Sequence, residues 1–370
     1  MSLSLGVISQ TKKLVIFSFA TLVYAWAAEN LAITQLSEDS VVVWVFSFVF
    51  YDFLYYWFHR YSHQINFLWA SHVVHHQSEE YNLTTALRQT SSSVMVWIFY
   101  LPSFFIGVPA EVFFVSGALN LVYQYWVHTQ LIGKLGWFES IFVTPSHHRV
   151  HHGQNEIYID KNHGGVFILW DKMFGSFQEE LDSEKVVYGV RRPVNSFNPI
   201  WANFHTWFSL SIDSFRTKSW LDKFKIWFMP TGWRPSDVAI SHPARKQIAG
   251  EQIKYNPDAN DSVKYYALFQ YAACVLFGVA FILQAKNLNF EISFLLWICV
   301  TLPLVTCGLL LESSRNAITK ESVRILSMIV LTLVVREELT PQLLNICIVY
   351  LISSALLFVL MIRTVNSTSA

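Results

Sequence analysis

Charge is what this sequence has least of. Asp, Glu, Lys and Arg make up 14% of its 370 residues, where a soluble domain carries about 25%. Apolar residues reach 53%, and the mean hydropathy is +0.35. The deficit excludes an ordinary soluble domain and points to a chain built for a bilayer. Lys plus Arg and Asp plus Glu both number 26. No basic excess suits nucleic acid, and no acidic tail suits a protein partner. Cysteine is sparse as well. Cys274, Cys299, Cys307 and Cys347 all lie in apolar runs without a C-x-x-C, which removes zinc-ribbon, thioredoxin-like and iron–sulfur spacings. They read as small hydrophobes. The H-E-x-x-H of zinc proteases, the H-P-G-G of a fused haem domain and a Rossmann glycine fingerprint are absent too.

What the chain has is long apolar runs. Stretches of about 20 such residues cross a bilayer as helices. Candidates lie at 14–33, 40–58, 92–108, 110–127, 264–285, 291–311, 322–335 and 341–363. The tight Gly107-Val108-Pro109 turn makes 92–108 and 110–127 a helical hairpin. Threaded alternately from a cytoplasmic Lys12-Lys13, the map puts all but Lys286 and Arg336 of the 26 basic residues inside, as the positive-inside rule requires. The expected architecture is an all-α integral membrane protein with a cytoplasmic helical cap, in a bacterial inner membrane or the endoplasmic reticulum. Residues 1–263 form the catalytic part and 264–370 a set of C-terminal helices. Between 201 and 228 aromatics recur among Lys218, Lys223 and Lys225, the pattern of one or two helices lying in the membrane interface or of an ordinary amphipathic helix packed on the domain.

Histidine is the residue in excess. Ten of the thirteen lie between His59 and His152. His59 and His63 are four apart at the end of a span, so they share a helix face. His72-Val-Val-His75-His76 and His148-Arg-Val-His151-His152, the latter preceded by His147, have i, i+3, i+4 spacing and are expected to present one face each. His128 ends the span 110–127 at the same depth, and His163 lies eleven residues beyond the last box. His59, His63, His72, His75, His76, His128, His148, His151, His152 and His163 are the candidate metal ligands. A structural zinc takes four ligands and a catalytic zinc three, so this many imidazoles fit two metals. Soluble di-iron proteins use E-x-x-H motifs, and none occurs here. Asp52, two turns before His59, could accept a ligand's free N–H or only cap the helix. Glu80 and Asn82, with Glu79, Tyr81 and Arg88, follow the second box and could bind a polar head group or simply cap and solvate a helix.

The order H-x-x-x-H, H-x-x-H-H, long gap, H-x-x-H-H resembles the fatty acid hydroxylase and sterol desaturase superfamily of membrane di-iron enzymes. The segments Asp52 to Arg60, His75 to Gln89, Thr144 to Asn155, Asp160-Lys-Asn162, Trp170 to Gly175 and Gly308 to Glu312 are similar to the alkylglycerol monooxygenase family within it. The resemblance implies two iron ions, dioxygen, a lipid substrate in the membrane and an external electron donor. It implies hydroxylation beside the ether oxygen of a glyceryl ether, with collapse to an aldehyde and glycerol. Sterol or fatty-acyl hydroxylation or desaturation is the alternative on the same site, and a metal transporter a distant one. The resemblance also implies tetrahydrobiopterin as reductant. Members using that cofactor carry glutamate directly after the first box, however, where this chain has Gln64.

Overall fold

In lipid every backbone polar group must be satisfied internally, and a helix does this within one segment. The computed structural model of the chain describes residues 1–92, 95–244, 248–249, 251, 253–284 and 288–368, with side chains outside 13–21 and 366–368. Among the described residues there is no strand, only isolated bridges pairing Ile65 with Pro230 and Phe142 with Phe167. The helices are α1 (Ser2–Asn30), α2 (Val41–Gln64), α3 (Asn66–His76), α4 (Leu83–Ala86), α5 (Leu101–Ile106), α6 (Ala110–Trp126), α7 (Pro145–His151), α8 (Leu169–Met173), α9 (Pro199–Arg216), α10 (Trp220–Phe228), α11 (Ser236–Ser241), α12 (Asp261–Gln284), α13 (Phe290–Leu311), α14 (Ala317–Val334) and α15 (Pro341–Thr368).

Among the described residues, four helices are long and apolar enough to cross a membrane: α2, α12, α13 and α15. The run at 92–108 does not form a span. It folds as a 3-10 turn at Val96–Tyr100 followed by the six-residue α5, about 9 Å of helix at 1.5 Å per residue. The Gly107 turn then reverses the chain into α6. A Cβ at Gly107, where φ is +80°, would fall 1.8 Å from the Thr34 carbonyl oxygen, so only glycine fits. The run at 322–335 lies within α14, and Arg324 is no loop charge. It is buried against Glu321, with Tyr266 and Tyr350 closing around the pair. Arg324 therefore carries no topological weight. Lys286 lies outside the described residues.

Helices α12 to α15 share one core, built on Phe277, Phe281, Val300, Met328, Leu343 and Leu351. Helix α1 ties that bundle to the histidine-bearing part. Ile8 packs with Cys274 and Leu304, while Leu5 packs with Val74 and Ala202. At the other end of α13, Glu312 accepts from Ser196 Oγ at 2.8 Å and from the Phe197 N–H.

Helices α9 and α10 lie against the outside of α3. Ala70, Leu210 and Ile226 form their joint core. Their outer faces expose Trp201, Phe204, Phe208, Phe215, Trp220, Phe224 and Phe228. The corner between α2 and α3 is fastened to the end of this hairpin. Asn66 Nδ2 donates to the Ile226 and Trp233 carbonyls at 2.9 and 3.2 Å, and its Oδ1 accepts from Gly232 N–H at 3.0 Å. The end of the α9–α10 hairpin is therefore held beside the end of α2.

Candidate metal centre

The end of α2, the whole of α3, the turn after α6 and the helix α7 converge on one buried volume. Nine histidines meet there in two groups. His59, His63, His72, His76 and His151 form the first, and His75, His128, His148 and His152 the second; within each group the candidate donor atoms all lie within 4.8 Å of one another. Neighbouring Nε2 atoms are 3.0–3.2 Å apart: His59 to His72, His76 to His72, His128 to His75, His148 to His128 and His152 to His148. Two imidazole nitrogens about 2.1 Å from one ion, at angles of roughly 90–110°, are separated by about this much. His76 stacks on His152 with centroids 4.3 Å apart, so the two pockets share a wall.

The expectation that each H-x-x-H-H box serves one face is corrected here. In the second box His72 and His76 join the first group, while His75 crosses to the second. In the third box His148 and His152 join the second group, while His151 crosses to the first. The reason is helical geometry. Consecutive residues are about 100° apart on a helix, whereas i and i+4 nearly align. Adjacent histidines therefore point into different groups, and each box contributes to both.

Orientation of the rings comes from main-chain carbonyls. His59 Nδ1 donates to the His163 carbonyl at 2.8 Å, His128 Nδ1 to Gln124 at 2.8 Å and His151 Nδ1 to Lys161 at 2.9 Å. Asp160 Oδ1 stands 3.6 Å from His63 Nδ1. Each such bond fixes the tautomer and leaves Nε2 as the donor atom for a metal. His63 Nε2 and His151 Nε2 are buried without a hydrogen-bond partner, and an unsatisfied buried acceptor is costly unless a cation fills it. Burial, reinforced by neighbouring imidazoles, holds His72, His75, His76, His148, His151 and His152 well below the usual histidine pKa. Burial brings His128 down to about 4, against hydrogen bonds that raise it. Neutral imidazole is the ligating form. The residues present fit a pair of transition-metal ions.

The other candidates divide. His163 is fully buried but outside both groups, with ring centroids 5.1 Å from His63 and 5.7 Å from His59. Both its ring nitrogens lack partners, while its carbonyl serves His59. His147 stays outside too, against Phe177. Asp52 touches no histidine. Its Oδ1 accepts from Asn120 Nδ2 at 2.6 Å and Val166 N–H at 2.8 Å, and its Oδ2 from Phe167 N–H at 3.0 Å and Trp170 Nε1 at 2.9 Å. With those acceptor sites filled, it ties α2 to α6 and to the 166–170 segment. Glu80 is exposed and paired with Lys254. Asn82 is the N-cap of α4, accepting from Thr84 N–H at 2.9 Å. Neither has a hydrogen bond or ion pair with a histidine among the described residues.

Asp171 is the residue that sequence reasoning undervalued. It is fully buried in α8 and accepts from His163 N–H, Gly164 N–H and Ser176 Oγ, each at 2.7 Å. Burial pushes its carboxyl up to about 6 against those three donors. It clamps the strand of backbone whose carbonyl orients His59. Asp160 and Asn162 are left-handed, with φ of 55° and 56°. These residue types tolerate that region best, and the turn aims the Lys161 carbonyl at His151. Asn162 is buried and donates to the His147 and Gln178 carbonyls.

The sequence is similar to several known proteins. The fatty acid hydroxylase family profile matches residues 44–176. Alkylglycerol monooxygenase of Homo sapiens is 38% identical over 333 residues, spanning 89% of this chain and 74% of that protein. Alkylglycerol monooxygenase of Xenopus tropicalis is 36% identical, spanning 88% and 73%. Ornithine lipid hydroxylase OlsE of Rhizobium tropici is 27% identical over 135 residues, 36% of this chain and 41% of its own. No solved structure matches with significance. A monooxygenase oxidoreductase of the membrane is what these relationships and the helices establish, and the chain belongs to the alkylglycerol monooxygenase family.

Proposed function

We propose that this protein oxidises the alkyl chain of a glyceryl ether at a pair of irons, with the ether bond cleaved as a result. The observation that carries the proposal is the split of nine buried imidazoles into a group of five and a group of four sharing a wall. In this reading His59, His63, His72, His76 and His151 hold one iron, and His75, His128, His148 and His152 the other. Such a pair, when bound, supplies the activation of dioxygen and insertion of one oxygen atom into a C–H bond. The protein's part is placement and exclusion of water. The His163, Lys161 and Gln124 carbonyls hold three rings with their Nε2 atoms inward. Asp171 and Asp52 hold the backbone that bears the first of these. His163 serves as a neutral reserve donor beside the first group.

The substrate's alkyl chain lies in the bilayer beside α2 and α6, with the carbon next to the ether oxygen at the metals. Hydroxylation there gives a hemiacetal, which collapses to a fatty aldehyde and glycerol. The histidine groups face the cytoplasmic side in this arrangement, where an external donor delivers electrons. Gln64, at the end of α2, disfavours a reduced pterin in that role. A second reading, hydroxylation of a fatty-acyl chain, is favoured by the family match over 44–176. Incubating the iron-loaded protein in lipid nanodiscs with an alkylglycerol, dioxygen and either a reduced pterin or a ferredoxin with its reductase separates these outcomes. Fatty aldehyde from the ether, with dioxygen consumed, is the expected result. Turnover of acyl lipids with the ether left intact overturns the ether assignment, and no dioxygen uptake with any lipid overturns the enzyme.

A further inference from the structure

An oxygenase that takes up dioxygen and electrons without a substrate in place holds an oxidant beside its own ligands. The histidines then need an easier electron source nearby. Three oxidisable rings contact members of the two histidine groups: Tyr55 at 5.2 Å from His59, Trp69 at 5.1 Å from His63, and Tyr81 at 5.2 Å from His152. The ring contacts of Trp69 are with His63, His72 and His76, and those of Tyr55 with Phe58 and His59, among the described residues. Among the described residues, no ring contact of Trp69 or Tyr55 leads on to another tyrosine or tryptophan. Tyr81 continues by direct ring stacking. Its ring lies parallel to that of Tyr188, with centroids 4.7 Å apart and planes 6° from parallel.

We propose that Tyr81 and Tyr188 form an oxidation-release path from the second histidine group to the protein surface, with Tyr188 the side chain that ends up oxidised. The proposal rests on the monooxygenase reading above. Tyr81 is 3% exposed and its O–H is held by the Val127 carbonyl at 3.1 Å. Water does not reach its phenol, so it serves as the bridge and is unchanged at the end. Tyr188 is half-buried in the loop after Glu184, between the buried Tyr81 and the protein surface. In the release step the histidine-bound site gains one electron. Tyr188 loses that electron, and its phenolic proton passes to water, leaving a neutral phenoxyl radical. A soluble one-electron reductant such as a thiol then returns the electron, and water returns the proton. Two ring-to-ring steps of 4.7 and 5.2 Å keep each transfer within near-contact range.

The test uses the full-length iron-loaded protein in nanodiscs, mixed with reductant and dioxygen but no ether lipid. Freeze-quenched samples are read by electron paramagnetic resonance, with ring-deuterated tyrosine to identify a phenoxyl signal. The unsubstituted enzyme is expected to show that signal, and Tyr188→Phe to lose it. Tyr188→Phe is also expected to keep its metal and its initial rate with lipid, yet to survive several-fold fewer lipid-free cycles. Tyr188→Trp restores survival, because indole is oxidisable. Tyr81→Phe, which preserves the ring packing, loses the Tyr188 signal as well. A radical seated on another side chain, or equal survival of all variants, overturns the proposal while lipid turnover by the unsubstituted enzyme leaves the function standing. No turnover of any lipid by the unsubstituted enzyme overturns the function and this path with it.

Discussion

Replacing Asp171 with asparagine separates positioning from ligation. The carboxylate accepts three hydrogen bonds of 2.7 Å from His163 N–H, Gly164 N–H and Ser176 Oγ. Asparagine keeps one oxygen, but its amide nitrogen must face a donor. At least one charge-assisted bond is lost, worth about 1.5–3 kcal/mol. The His163 carbonyl then loosens on His59 Nδ1. Removing such an orienting contact lowers metal affinity by about 10–100-fold. Only the first group contains His59, so the loss should fall on one metal. Titrating apo-protein with ferrous ion or cobalt, followed by stoichiometry after gel filtration, reads this directly. Asp171→Asn should keep its helical circular dichroism and retain close to one metal per chain. Both metals held at parental affinity, or both lost together from a folded chain, would refute the positioning argument.

Other perturbations follow from the same geometry. His75→Ala removes a member of the second group and His151→Ala one of the first; each should leave a folded chain with about one metal and no turnover, by metal analysis and product assay. Folding requires the imidazoles neutral, since the folded pKa values lie below the ordinary 6.5. The unfolded chain takes up protons below about 6.5, so stability and metal affinity are full above that pH and fall as pH drops toward the value of about 4 for His128. Metal retained undiminished at pH 5, followed with a chelating dye, would contradict this. Glu321→Ala leaves the buried Arg324 unpaired, which costs about 3–5 kcal/mol, and should lower the thermal midpoint in detergent well below that of the parent. Gly107→Ala forces a Cβ into the Thr34 carbonyl and should unfold the α5–α6 turn, seen as new protease cutting near 107.

The histidine boxes were legible because i, i+4 spacing survives into any helix that holds them. His128 was legible from its place at the end of an apolar run. The exchange of His75 and His151 between groups was not, since it depends on how α3 and α7 face each other across the site. The contacts that orient the rings were invisible for another reason: they are main-chain carbonyls of Gln124, Lys161 and His163, which leave no side-chain signature. The readable trace was indirect, in the left-handed-tolerant Asp160 and Asn162. Asp52 misled because its helical position suits a ligand partner, whereas its oxygens go to Asn120, Val166, Phe167 and Trp170. Long apolar runs gave α2, α12, α13 and α15, although α2 continues six residues past 58 and α15 five past 363, where polar residues follow the apolar stretch. The turn at Gly107 was legible in the run at 92–108, but apolar content does not reveal the break there into a 3-10 turn and a six-residue helix.

The number and kind of ions that the nine histidines hold decide the chemistry open to this protein. Elemental analysis with Mössbauer spectroscopy, on protein expressed in iron-57 medium and purified without added metal, measures both at once. Two coupled high-spin irons per chain is the result expected here. A single ion, or a zinc-filled site that consumes no dioxygen with lipid and reductant, would contradict it.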